Sequence, residues 1–293
     1  MTRPVPPEES GVVLINVLMY VAIASALVLL MITREEQSVD RALRVREAAE
    51  AMAAVKGGAV SALVALRRDQ REAPQTDNVT EPWAALAESG APIRGGRFDL
   101  AIADAQGRFN VNNLRAQNAA AAALFDRIGR AAGLEPTQIG IAIALIRRMG
   151  PVTDLRPLRL AGLDEAVLGR LETMITALPG ETGININAIT PELLAILVGD
   201  SVVADRLIDL RRRQGYLTPL DLAREGVALP PDTSFTSGTF WVRTRATIGT
   251  TTQQEAALIV RRQGPDLLPE TVIVARWRNA AVPEQAPAFP RPR

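Results

Sequence analysis

Asparagine is the residue whose placement in this chain most needs a chemical explanation. Asn110, Asn112 and Asn113 fall in one short run, and Asn185 and Asn187 fall in another with alternate spacing. A side-chain amide both donates and accepts, so such residues can bond backbone groups and fix turns where strands enter or leave a helical segment. A sharper chemistry would enlist Asp99, Asp104 or Asp232 beside them as oxygen ligands for calcium, a hard cation. The chain has no carboxylate loop with the spacing of a dedicated calcium site, so turn-fixing is the expected role and no cofactor is expected.

Other chemistry is narrowly bounded. The 293 residues include no histidine and no cysteine. That removes thiol nucleophiles, disulfides, Ser-His-Asp triads and the usual zinc, haem and iron–sulfur ligands. An enzyme would need a carboxylate pair or a Ser/Lys dyad. The sole lysine, Lys56, lies in a predicted helix beside Gly57-Gly58, and no residue is assigned a catalytic role. The 33 Lys and Arg nearly balance 32 Asp and Glu, and aromatics make up only 4% of the chain. Neither a polyanion-attracting field nor a base-stacking platform is indicated.

Stepping outward from the asparagines, the surrounding pattern changes period. Phe98, Leu100 and Ile102 alternate as in a strand, and Asp104 to Gly107 supplies turn chemistry before Phe109 and Val111, which predicts a hairpin. Phe240, Val242, Thr244, Ala246 and Ile248 alternate again far downstream, followed by 256–260 and 271–275. The sheet is therefore expected to be split by an insertion. Between Leu114 and Leu229 the chain reads as short helices stopped by glycines, with Thr190-Pro191 and Thr218-Pro219 as helix starts. Beyond Asn279 it is rich in Pro and Ala and is expected to be unpacked.

The N-terminus carries the address. Val12 to Thr33 contains no charged residue, and at 1.5 Å per residue it spans about 33 Å, enough to cross ~30 Å of hydrocarbon. Ala22-Ile23-Ala24 and Ala24-Ser25-Ala26 mimic the cleavage sites of removable signals, but Leu27 to Ile32 continue the apolar run past them. The helical pattern persists to Glu72, with Val39, Leu43, Met52, Val60, Leu63 and Val64 as a stripe to pack on the sheet and Gly57-Gly58 as a bend.

Four stretches resemble the type II secretion protein K family (GspK). They are Glu81-Pro82-Trp83; Asp104 to Leu114, with Gly107, Arg108, Phe109 and the three asparagines in place; Leu178 to Ala188, with Asn185 and Asn187; and Ser234 to Phe240. One departure is that many members carry an acidic, aromatic stretch after the helix corresponding to 139–148, whereas this chain goes straight to Met149-Gly150-Pro151.

The resemblance implies an α+β fold: a pilin-like long helix on an antiparallel sheet (34–113 and 230–278), an inserted all-α, SAM or helix-hairpin-helix-like domain (114–229), and a disordered tail (279–293). It further implies a leader, 1–11, cut between Gly11 and Val12 with methylation of the new N-terminus, although Glu8 and Glu9 stand where such leaders are usually basic. Asn16 would be the fifth mature position, where most pilins carry glutamate and the K family does not. The implied function is that of a minor pseudopilin, single-pass in the inner membrane, its C-terminal domain periplasmic. It would assemble with the I and J minor pseudopilins and other secretion components at the pseudopilus tip.

A different class is a helix-hairpin-helix DNA-binding module over Leu193 to Leu222, with Arg211 to Arg213 facing phosphate. Its hairpin, Val198-Gly199-Asp200-Ser201, has one glycine and an acid where amides should meet a phosphate.

Overall fold

A computed structural model gives the architecture over residues 7–116, 118–228 and 230–291, with side chains from Val13 onward. The first six residues of the expected leader lie outside the described residues. Helix α1 (Pro7–Glu72) is one uninterrupted helix of 66 residues, or about 99 Å at 1.5 Å per residue. Its apolar part is long enough to cross a membrane and is bare of contacts. The second part packs on a sheet.

Packing uses only part of the expected stripe: Met52 and Leu63 pack at the edge of the helix–sheet core. Ala51, Val55, Ala59, Ala62 and Leu66 are buried against the sheet, while Val39, Leu43, Val60 and Val64 face outward. Small side chains let the helix approach closely. Gly57-Gly58 does not bend it: an added Cβ at Gly58 would collide with the Phe98 ring, so this glycine serves close contact with the sheet.

The sheet has order β1-β2-β7-β8-β9, all antiparallel: β1 (Glu88–Ile93), β2 (Gly96–Asp104), β7 (Thr239–Ile248), β8 (Thr251–Gln263) and β9 (Pro269–Arg278). Between β2 and β7, direct neighbours in space, the chain detours through β3 (Phe109–Asn110), α2 (Ala119–Ala132), α3 (Pro136–Met149), α4 (Glu165–Glu172), β4 (Ile175–Thr176), β5 (Ile184–Asn185), α5 (Pro191–Val198), α6 (Ser201–Gln214), α7 (Pro219–Arg224) and β6 (Thr233–Ser234). Phe240, Val242, Ala246 and Ile248 are buried on the sheet face toward α1, in the predicted alternation.

Three sequence expectations need correction. The turn at Asp104 to Gly107 does not close a hairpin: β2 pairs back with the preceding β1, and Phe109–Asn110 leaves the sheet to run parallel to β4. The insertion begins at Phe109 rather than Leu114, because Phe109, Val111 and Leu114 belong to its core with Phe125, Ile128, Leu171, Ile186 and Leu207; its expected end, Leu229, lies outside the described residues. The tail is packed as far as it is described: Ala286 is buried beside Trp241, Leu258 and Leu178, and Phe289 lies under Arg243 and Arg245 at 4.8 and 4.4 Å.

The insertion's helices start as the sequence indicated. Thr190 and Thr218 accept from the Leu193 and Asp221 amides at the starts of α5 and α7, and Gly133 and Gly199 take left-handed conformations that end α2 and α5. These bonds satisfy donors and acceptors that a helix end would otherwise leave open. Besides helices the insertion holds two parallel strand pairs of two residues each, β3 with β4 and β5 with β6.

Candidate functional site

Every asparagine in the two motifs is buried, and each joins segments distant in sequence. Asn110 Nδ2 donates to the Leu178 and Gly180 carbonyls (3.3 and 2.9 Å), while its Oδ1 accepts from the Asn112 and Leu178 amides, both at 3.1 Å. Asn112 donates to Val152 O (2.9 Å) and Leu178 O (2.8 Å) and accepts from Val152 N (3.0 Å). Asn113 exchanges both bonds with Thr182, at 2.8 and 3.1 Å. Asn187 does the same with Leu217, at 3.2 and 2.6 Å.

A side-chain amide has the donor and acceptor of a peptide group, so these four residues pair with a backbone as a neighbouring strand would. Each net bond is worth about 0.5–1.5 kcal/mol, and each buried peptide left without one costs more. Gly107 is required by proximity: a Cβ there would strike the Ala188 backbone. Arg108 is half-buried, and burial lowers its pKa while Glu172 opposes the shift.

The fifth asparagine ties the insertion to the sheet. Asn185 Nδ2 donates to Asp77 O (2.8 Å) and to Asp104 Oδ2 (2.6 Å), and Ser237 adds an Oγ–H bond to the same Asp104 oxygen at 2.5 Å. Gln106 spans the crossing, donating to Gly183 O (2.8 Å) and accepting from Gly238 N (2.6 Å). Below them lies a charged layer. Arg261 on β8 donates to Asp77 Oδ1 (2.6 Å), Asp69 Oδ2 (2.7 Å) and Leu66 O (2.8 Å), and stands over the Phe240 ring at 4.6 Å. Glu81 accepts from Trp83 Nε1 (2.8 Å) and Asn78 Nδ2 (2.7 Å), and Trp83 meets Phe240 edge-on at 5.3 Å.

Burial dominates the electrostatics here. It pushes Asp77 up to about 7, against the pull of Arg261 and the Ser237 amide, with Asp104 adding to the rise. Burial likewise raises Asp104 and Glu81.

The carboxylates named as calcium ligands are dispersed. Asp99 pairs with Arg245 at 2.9 Å and accepts from Gly90 N, and Asp232 accepts from Asn118. Those that converge are Asp69, Asp77 and Glu81, with ligand oxygens within 4.8 Å of one another. Arg261 supplies positive charge to this group, and of its carboxylates only Asp69 Oδ1 is buried without a partner. The arrangement is a buried ion-pair hub, and Asp69, Asp77 and Arg261 were missed by sequence reasoning. Their signal was faint: an arginine late in a strand, and one aspartate three residues after Leu66.

The phosphate-binding alternative loses its lead residue. Arg211 turns inward, and its Nη1 donates to Ile186 O at 3.0 Å and Ile189 O at 2.9 Å, under burial that lowers its pKa. Arg212 pairs with Asp209. What looked like a basic hairpin is a helix end closing the insertion's core.

A half-bare N-terminal helix laid on an antiparallel sheet, with a helical insertion riding at one end of that sheet, defines a pilin-like α+β fold whose first helix is long and apolar enough to cross a membrane. No family model matches the chain. It is similar to type II secretion system protein K of Pseudomonas aeruginosa, 24% identical over 299 aligned positions that cover 88% of this chain and 90% of that protein. It is also similar in fold to a chain of the GspK-GspI-GspJ complex from the type 2 secretion system of enterotoxigenic Escherichia coli. That match has TM-score 0.61 and 18% identity, and covers 84% of this chain and 99% of the other. Coverage so wide takes in most of the insertion as well as the sheet. Both comparisons support the resemblance to protein K read from the motifs, and the structural match carries the pilin-like α+β fold.

Proposed function

We propose that this chain is a minor pseudopilin of a type II secretion system, an assembly subunit and not an enzyme. The observation that carries the reading is the insertion between β2 and β7, stitched by the same asparagine motifs that mark the resemblance to protein K. Helix α1 anchors the subunit in the inner membrane. The rest stands in the periplasm, where the chain joins I- and J-type minor pseudopilins at the pseudopilus tip. A wide insertion at the far end of the sheet occupies the space where another subunit would stack, which favours a capping position.

Asn16 fits that position. In a membrane a glutamate there is costly unless it meets a neighbour's terminal ammonium, and a subunit at the end of the row has no such neighbour. Processing between Gly11 and Val12 belongs to the same reading; both residues lie in the helical backbone of α1, with their side chains outside the described set.

Co-expression of the full chain with I- and J-type partners, followed by detergent extraction, tests the proposal. A stoichiometric ternary complex is expected, with intact mass starting at a methylated Val12. A chain that ignores both partners, or cysteine crosslinks from the insertion to major pseudopilin all along isolated filaments, would remove the tip assignment.

A further inference from the structure

Helix α3 presents a finished apolar face to solvent. Its inner side is accounted for by Ile139, Ala142 and Ile146 in the insertion's core. On the outer side Ile141 is 53% exposed and Met149 49%, Ala144 is exposed, and Leu145 is half-buried without packing on that core. These positions recur at i, i+3, i+4 and i+8, the spacing of one helix stripe. Leu160, 75% exposed, lies on the short helical turn Arg156–Ala161 that packs beside α3.

Two further observations say what covers this face. Gly140 sits in the middle of α3, where glycine weakens a helix relative to alanine. Its own chain gives no reason for it: an added Cβ would meet nothing within 4 Å, and its φ is not positive. With Ala144 one turn later it makes a shallow notch flanked by Ile141 and Leu145, the shape that admits another helix's backbone. The C-terminal end of α3 is also basic, with Arg147 and Arg148. No acid occurs between Glu135 and Asp154, and Arg148 at the helix end is exposed and in no ion pair among the described residues.

We propose that the outer face of α3 is a docking site for an amphipathic α-helix of another protein, seated on the Gly140/Ala144 notch with an acidic flank toward Arg148. The membrane holding α1 is a poor occupant. The insertion leaves the sheet beside Leu66, and the 33 residues from Thr33 to Leu66 place it about 50 Å above the span.

The test uses the full chain in nanodiscs and a fluorescent peptide with leucines at helical spacing and glutamates on the flanks. Anisotropy should show binding at least tenfold tighter than for the same peptide with lysine in place of glutamate, or with a central proline. G140L should weaken binding at least tenfold without lowering Tm, and G140A should raise Tm. Equal binding of acidic and basic peptides, binding indifferent to G140L, G140L-sensitive self-association of the chain, or G140L-sensitive retention on phosphatidylglycerol vesicles would each overturn the assignment.

Discussion

The insertion and the sheet are bound together by two layers of opposite chemistry. Above, four neutral asparagine amides stand in for missing strand neighbours, and a fifth, Asn185, reaches Asp77 O and Asp104. Below, Arg261 holds Asp69 and Asp77 in a buried ionic hub beside Glu81. A neutral amide needs only its two partners and is indifferent to pH. A buried charge needs a counter-charge, and its strength changes with protonation. The amide–peptide pairs that stitch the insertion are thus insensitive to pH, while Asn185's bond to Asp104 and the attachment of the spine's end to the sheet involve raised carboxyls and are sensitive to it.

The contrast breaks most severely at Arg261. R261M strands Asp69 and Asp77 without their cation, and removing one side of such a pair typically costs about 3–5 kcal/mol. Chemical denaturation should show that loss in mildly alkaline solution, with partial recovery as the pH falls through about 7 and Asp77 takes up a proton. A loss that stays constant with pH would mean that the Asp77 carboxyl does not govern it.

In the upper layer, N112A leaves the Val152 peptide and one Leu178 bond open, for an expected loss of about 2–3 kcal/mol. Its cost should be the same at pH 5 and pH 8. N112D is the sharper variant, since it keeps the shape and the acceptor but cannot donate to Val152 O. If N112D matches wild type, the two-pronged pairing contributes little.

A pH effect isolates the lower layer. Asp77 titrates near 7 in the fold because of burial and near 3.9 when unfolded. A carboxyl whose folded pKa is raised favours the fold when protonated. Its contribution is therefore complete below the unfolded value and is lost as pH rises through about 7. Stability should fall between pH 4 and 7 by a component that D77N removes; an unchanged slope in D77N would assign the titration elsewhere.

The smallest expected effect is at the tail. F289A removes the ring beneath Arg243 and Arg245 and should cost about 0.5–1 kcal/mol, with faster hydrogen exchange confined to β7 and the final ten residues.

How far the sequence disclosed this arrangement depended on how loudly each residue spoke. The alternation in β7 was plain because its inner side chains, Ala246 excepted, are large or β-branched. The glycine stops and Thr-Pro starts of the insertion were equally readable, since a helix end needs a particular partner or a particular φ. The packing stripe of α1 was only partly read, Met52 and Leu63 being in it, because alanines at 51, 59 and 62 carry little hydrophobic contrast beside Val60 and Val64, yet small size is what the close helix–sheet contact requires. Strand β1 escaped notice because Gly90 and Pro92 are tolerated at a sheet edge and argue against a strand elsewhere. The asparagines were legible as turn-fixing residues, but their partners, from 30 to 108 positions away, were not.

From Thr33 to Arg46 every residue of α1 is exposed, so a bare stretch of helix joins the membrane part to the packed part. A helix advances about 100° per residue, and this stretch therefore sets the phase between the two. One residue added there would turn the sheet, the asparagine seam and the face of α3 through more than a quarter of a circle about the spine. Seven would return them to within about 20° of where they began.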